Sequence, residues 1–443
     1  MPRLAIIIIA LLVTILVRRL HQILTLRELE RLHGCEQPPN EKDRFRYDIL
    51  GIAKAIELAF YFRRRSSLAY TNALFEKYGE TYTSNVLGYR LILTCNAENT
   101  KCLLSTAFAD FDSSPLRKPL FEPITPHGIF TLDGAGWKKS RNKLRSRLSD
   151  LRKIIDLSLC EQHFQAFLRH VPSNGKAFNV QTCVFNLVLD MQTLFSLGVS
   201  VDTLGLSQPL EKKQFVADLL YIKEKIVEDG FRGPLRYLYS KQRFVHSCRR
   251  AREYVMSHAT QNEKDEDLNR ETDQALSILL ANDSMGTALS ALFYCLSQDD
   301  RVVDKLRASI IDTIGLNPPT WGQLGSLDYI RCVLQEVPKV MRLYPAVVLN
   351  ARVANKNVTL PTGGGAHGIS PILARKGEIV VFSTWARHRL GRDFGENPEH
   401  FHPERWEQLN ADMPGFIPFN KGPRSCPGRK PFSQVTDDFA VVG

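Results

Sequence analysis

One stretch near the C-terminus has the residue types and spacing of a metal-binding loop. Phe419-Asn420-Lys421-Gly422-Pro423-Arg424-Ser425-Cys426-Pro427-Gly428 reads F-x-x-G-x-R-x-C-x-G. A cysteine in a glycine-flanked loop can present its thiolate to a metal while backbone N–H groups face the sulfur. The glycines let the backbone approach a flat cofactor closely, and Arg424 can neutralise an acidic group on it. A second candidate lies in an otherwise apolar stretch, Leu280-Ala281-Asn282-Asp283-Ser284-Met285. A carboxylate in such surroundings is costly without a partner, so Asp283 needs a partner or a function. The glycine-rich run Leu360–Gly368 can be mistaken for a phosphate loop, but no strand-then-helix context accompanies it.

The full spacing around Cys426 resembles the cytochrome P-450 superfamily, in which this cysteine is the axial haem ligand. Further landmarks of that superfamily follow in order. Trp137-x-x-x-Arg141 is similar to the helix that contacts a haem propionate, and Arg352, in Leu349-Asn350-Ala351-Arg352, resembles a further propionate contact. Phe401-His402-Pro403-Glu404-Arg405-Trp406 matches the F-x-P-E-R-W meander, and Asp283-Ser284 falls where the family carries [AG]-G-x-[DE]-T-T on its long central helix. The resemblance implies that Cys426 binds the iron and that Trp137, Arg141, Arg352, Phe419, Arg424 and Gly428 contact the haem. It also implies that Asp283 and Ser284 deliver protons to bound dioxygen. It covers about residues 35 to 430, nearly the whole chain.

A narrower likeness concerns the substrate. The run Leu360–Gly368 with Pro371-Ile372 and Lys376-Gly377 is similar to an insertion in the fungal alkane- and fatty-acid-hydroxylating branch. Gly128–Gly134 leading into Trp137, and Leu349–Arg352, look like the same branch. The implied protein is a haem-thiolate monooxygenase. It uses dioxygen and NADPH-derived electrons, passed on by a flavoprotein reductase, to hydroxylate a hydrophobic long-chain substrate at or near its terminal methyl.

The elements that must position these residues are mainly helical with a small β part, and form one large domain behind an N-terminal anchor. Residues 135 to 300 read as helical, with one long apolar helix from Thr272 to Leu296. A helix near residue 66 precedes strand-like runs Thr81–Val86 and Arg90–Thr94 around Gly88, a hairpin pattern. Strand and loop signals return after Pro345. At the N-terminus, the apolar run Leu4–Val17 is followed by Arg18-Arg19 and no small-residue cleavage site. The run is short for a spanning helix, which needs about 20 residues, but Leu20, Ile23, Leu24 and Leu26 extend it into the interface. The division expected is an anchor over 1–26, a linker with the Gln37-Pro38-Pro39-Asn40 hinge over 27–65, and a haem domain over 66–443. The positive residues keep that side cytoplasmic, which places the domain on the cytoplasmic face of the endoplasmic reticulum.

Composition is ordinary for a globular chain, and 58 Lys+Arg against 47 Asp+Glu give a charge of +11. That charge suits a lipid surface or an acidic protein partner; with no nucleic-acid motif and an apolar N-terminus, nucleic acid is not an expected partner. Nine cysteines without a CxxC pair fit a reducing compartment better than a disulfide scaffold or zinc site.

The chain departs from the superfamily pattern in three places, of which the first two favour a rival reading, a truncated or degenerate relative with impaired haem binding and no turnover. The E-x-x-R helix reads Glu336-Val337-Pro338-Lys339-Val340-Met341-Arg342, so the Glu and Arg point apart and Pro338 breaks the helix. Deleting Pro338–Val340 restores the expected spacing, as an in-frame insertion would explain. Lys430-Pro431 interrupts the helix expected after Gly428, and the closing hairpin looks missing or replaced. Met285 stands for the second threonine of the central helix and Ala281 for its glycine.

Overall fold

The hairpin foreseen around Gly88 forms because Leu87 and Gly88 both adopt positive φ, 51° and 80°. Two such residues give the turn whose twist matches that of paired strands. The structure is a computed structural model that describes residues 2–41, 48, 50–149, 156–258, 265–315, 341–390, 392–395 and 413–429, with isolated positions between 317 and 323 and at 398 and 409. The helices are α1 (Pro2–Leu32), α2 (Ile52–Arg63), α3 (Ser67–Tyr78), α4 (Ala97–Lys101), α5 (Ser114–Phe121), α6 (Gly134–Ser149) and α7 (Leu157–Leu168). They continue with α8 (Val180–Leu197), α9 (Leu210–Arg232), α10 (Gln242–Ser257), α11 (Asp265–Leu280), α12 (Asn282–Leu296), α13 (Asp300–Thr313) and α14 (Thr384–Leu390). Their starts follow local chemistry: the Asn96 carboxamide oxygen accepts Glu98 N–H at 2.9 Å and the Asp156 carboxylate accepts Ser158 N–H at 2.8 Å. Such caps contribute about 1 kcal/mol each.

The strands are β1 (Thr81–Val86), β2 (Tyr89–Thr94), β3 (Phe111–Asp112), β4 (Leu349–Ala354), β5 (Val358–Gly364), β6 (Ser370–Ala374) and β7 (Ile379–Ser383). A five-stranded sheet runs β1-β2-β7-β4-β3, and β5 pairs with β6 as a separate hairpin. Register Leu349↔Ser383 to Val353↔Ile379 pairs β4 antiparallel with β7 and puts Arg352 opposite Val380. The architecture is mainly helical with small sheets, as the patterning implies.

The long helix expected over Thr272–Leu296 is present but interrupted. Ala281 (φ −93°, ψ 1°) separates α11 from α12. Across the break the ladder tightens, with Ala281 N–H donating to Ile278 O at 3.0 Å and Ser284 N–H to Ala281 O at 3.2 Å. Among the described residues, Val180–Leu197 and Leu268–Leu296 are long and apolar enough to cross a membrane. Both bury residues in the body, including Val184, Leu187 and Val188 on one and Leu276, Leu279 and Ala288 on the other. Their apolar character therefore serves the core. Helix α1 instead leaves Ile15, Leu16, Val17 and Leu20 exposed.

The helical run ends at Leu32, before the Pro38-Pro39 segment, and that segment, expected as a hinge, is stitched to the body. Glu36 N–H donates to Pro371 O at 2.9 Å, Gly365 N–H to Gln37 O at 3.1 Å and Thr83 N–H to Pro39 O at 2.8 Å. Arg375 pairs with Glu30 at 3.1 Å. The glycine-rich end of the β5–β6 hairpin makes room for this strap. A Cβ on Gly364 would lie 2.6 Å from Glu36 O and 2.8 Å from Pro371 O, both backbone atoms. Gly364→Ala should therefore undock residues 35–40, costing about 1–3 kcal/mol as overpacking does. Limited proteolysis reads the result: cleavage between Gly34 and Asn40 should become faster than in the wild-type chain.

Candidate functional site

The Cys426 loop is shaped by one close approach. Gly422 has φ 68°, and a Cβ there would lie 1.8 Å from Leu104 O; no residue but glycine fits. The loop closes on itself through Cys426 N–H to Phe419 O at 2.8 Å and Ser425 N–H to Gly422 O at 3.0 Å. Phe419 packs in the core cluster that contains Met285, Ala288 and Leu292, so the loop is fixed to α12. Cys426 is exposed by surface area, yet burial raises its thiol pKa, opposed by the Gly428 N–H and the Arg141 charge.

Four arginines gather beside this loop. Trp137 and Arg141 share one face of α6, with the Arg141 guanidinium 5.7 Å and the Arg424 guanidinium 4.5 Å from the Trp137 ring. Arg141 Nη2 donates to Ser425 O at 2.5 Å. Arg424 donates to Leu132 O at 2.8 Å and is ion-paired with Asp133. Arg352, 1% exposed on β4, donates to Asn350 Oδ1 at 3.1 Å, and Arg117 on α5 donates to the same oxygen at 3.0 Å. The Arg352 Nε has no partner among the described residues.

Burial, then repulsion from Arg424, lowers the Arg117 pKa to about 10. Burial, then Arg117 and Arg424, lowers Arg352 to about 9. The carboxylates that oppose this are Asp133 and, for Arg424, Asp112. These guanidiniums outnumber the carboxylates that face them, which leaves net positive charge beside the loop. Such a surplus calls for an anion. The described residues contain no group of three His, Cys, Asp or Glu that could hold a metal ion. A single cysteine beside net positive charge is what the haem implied by the resemblance needs, a sulfur for its iron and guanidiniums for its carboxylates. The residues fit haem.

The structure thus brings together Cys426, Phe419, Gly428, Arg424, Arg141, Trp137 and Arg352. Arg117 was not legible in the sequence, because no fixed spacing relates it to the other arginines. Asp283 goes elsewhere: it is half exposed and pairs with Lys223 of α9 at 2.6 Å, while Lys223 also donates to Asn282 Oδ1 at 2.7 Å. The carboxylate expected to need a partner has one. Ser284 is partly buried, and Ala281 is exposed between buried Leu279 and Asn282. Glu336, Pro338–Val340, Phe401–Trp406 and residues 430–443 lie outside the described residues.

Arg342 is described, and it reaches the Cys426 loop through His388. It donates to His388 O at 3.0 Å and to Pro398 O. His388 Nε2 accepts Ile417 N–H at 3.1 Å, so Nδ1 carries the proton and donates to Arg342 O at 3.2 Å. Burial, followed by the Arg342 charge, lowers the His388 pKa to about 3.

Comparison with known proteins gives the same picture for most of the chain. The family model described as Cytochrome P450 matches residues 55–287 and 281–434. Cytochrome P450 52A5 of Candida maltosa is 33% identical over 404 residues, 82% of this chain and 75% of that protein. Cytochrome P450 52A12 of Debaryomyces hansenii is 30% identical over 450 residues, covering 90% and 83%. Cytochrome P450 52A1 of Candida tropicalis is 32% identical over 406 residues, covering 82% and 73%.

The His388 pair carries a pH dependence. The folded-state pKa lies below the usual histidine value near 6.5, so the unfolded chain binds the proton first as pH falls. Stability from this group is complete above about 6.5 and is lost toward about 3, with about 2 kcal/mol gone at about pH 5. Denaturation as a function of pH should show this slope, and His388→Gln, whose amide oxygen can accept Ile417 N–H, should flatten it.

Proposed function

The chain belongs to the cytochrome P450 family, whose members are haem-binding monooxygenases, and we propose that it is a membrane-anchored hydroxylase of long aliphatic chains, alkanes or fatty acids. The observation that carries this reading is the buried surplus of positive charge beside the Cys426 loop, together with the fungal-branch motifs Gly128–Gly134 and Leu349–Arg352. When bound, haem supplies the dioxygen chemistry, which a thiolate ligand favours by pushing electron density toward the iron.

In this reading Cys426 Sγ ligates the iron, and the Gly428 N–H facing the sulfur moderates its charge. Arg141, Arg352 and Arg424, joined by Arg117, hold the two carboxylates, while Trp137 and Phe419 close the loop side against water. Asp283, half exposed and paired with Lys223, is the point at which protons enter from solvent. The Ser284 hydroxyl, adjacent in sequence, hands protons on from there. Aliphatic substrates need exclusion of water and little polar recognition, which suits the apolar faces of α11 and α12.

The apolar residues of α1 left exposed, with Arg18-Arg19 behind the run, support an anchor over residues 1–26 and a haem domain over 66–443. The endoplasmic reticulum membrane, with the domain on the cytoplasmic side, is the compartment this orientation favours. Electrons come from an NADPH-dependent flavoprotein reductase attracted to the basic surface that the +11 charge supplies.

The full chain reconstituted in membranes with such a reductase and NADPH should convert a long-chain fatty acid or alkane to its terminal alcohol, and Cys426→Ser should abolish this. Loaded wild-type protein that leaves every aliphatic chain unchanged would overturn the substrate assignment.

A further inference from the structure

Asp133 touches every element that brings an arginine to the loop from the α5–α6 side. Its Oδ2 accepts Ser113 N–H at 2.9 Å and Ser114 N–H at 2.5 Å, at the start of the helix that carries Arg117. Its backbone carbonyl accepts Trp137 N–H at 3.3 Å, at the start of the helix that carries Trp137 and Arg141. Its Oδ1 is ion-paired with Arg424, two residues before Cys426. A neutral amide oxygen could accept the same N–H donors. What only a carboxylate adds is charge, and it adds it where four guanidiniums repel one another.

We propose that Asp133 is a positioning residue that sets how much positive charge the haem carboxylates meet, and through it the reduction potential of the iron. The proposal rests on the haem-thiolate reading above. Asp133 is the carboxylate that acts on Arg117, Arg352 and Arg424 alike, so it offsets part of the positive charge they bring. Removing the Asp133 charge leaves one more positive charge unbalanced. Reduction of ferric to ferrous iron adds one electron, and an unbalanced positive charge nearby favours it. Removing a guanidinium has the opposite effect.

The test is a potentiometric titration of the full-length protein in membranes, with the reduced carbon-monoxide spectrum recorded for each variant. Asp133→Asn keeps an acceptor for Ser113 and Ser114 and should raise the ferrous-to-ferric ratio at fixed potential about tenfold, equivalent to about 59 mV for a one-electron couple. Asp133→Glu should stay near the wild-type value, and Arg117→Gln should shift the potential negative. Opposite signs distinguish charge from mere loss of packing, which would move both variants the same way. An unmoved or lowered potential in Asp133→Asn with the thiolate spectrum intact overturns the proposal. Should Asp133→Asn lose haem, Arg117→Gln decides alone, and an unmoved or raised potential overturns it. A wild-type chain without the thiolate spectrum would defeat the haem-thiolate reading itself, and the proposal with it.

Discussion

Like charges removed from water must be balanced, and the site is organised by this constraint. Arg117, Arg141, Arg352 and Arg424 arrive on α5, α6, β4 and the Cys426 loop, and the depressed pKa values of Arg117 and Arg352 register their burial first and their mutual repulsion second. None is held by charge alone: Asn350 takes two of them, and the carbonyls of Ser425, Leu132 and Ala351 take three. Neutral acceptors fix the guanidiniums without cancelling them. The remaining positive charge favours an anionic group beside the loop, since a buried charge left unpaired costs several kcal/mol.

The cysteine is placed by three independent supports. Gly422 lets the loop touch Leu104 O, Phe419 joins the core cluster of α12, and His388 bonds Ile417 while itself bonded to Arg342. The last support is relevant to the altered E-x-x-R spacing. Whatever partner Glu336 finds, Arg342 is buried and bonded to the His388 and Pro398 carbonyls, so part of the connection between that arginine and the cysteine loop is intact. The glycine-rich hairpin that set the chain apart in sequence serves a different end: it seats the strap over residues 35–40 and fixes where the N-terminal helix leaves the body.

Much of the site was legible because its spacing is local. The Cys426 loop depends on residues within ten positions, Trp137 and Arg141 are one helical turn apart, and Arg352 sits in a short strand motif. The hairpin at Gly88 and the helical middle followed from period and turn chemistry in the same way. What could not be read was set by distant partners. Arg117 reaches Asn350 across the fold. Asp283 meets Lys223 on another helix, and His388 contacts both Arg342 and Ile417. The break at Ala281 carries no glycine or proline to announce it, and the glycines at 363–365 gave no sign of what approaches them. Long-range juxtaposition has no sequence period.

The central claim is that this chain holds haem through Cys426. The carbon-monoxide difference spectrum of the reduced full-length protein in membranes tests it most directly. The account predicts a Soret band red-shifted as thiolate ligation requires. A band of the neutral or histidine-ligated type, or no haem at all, would contradict it.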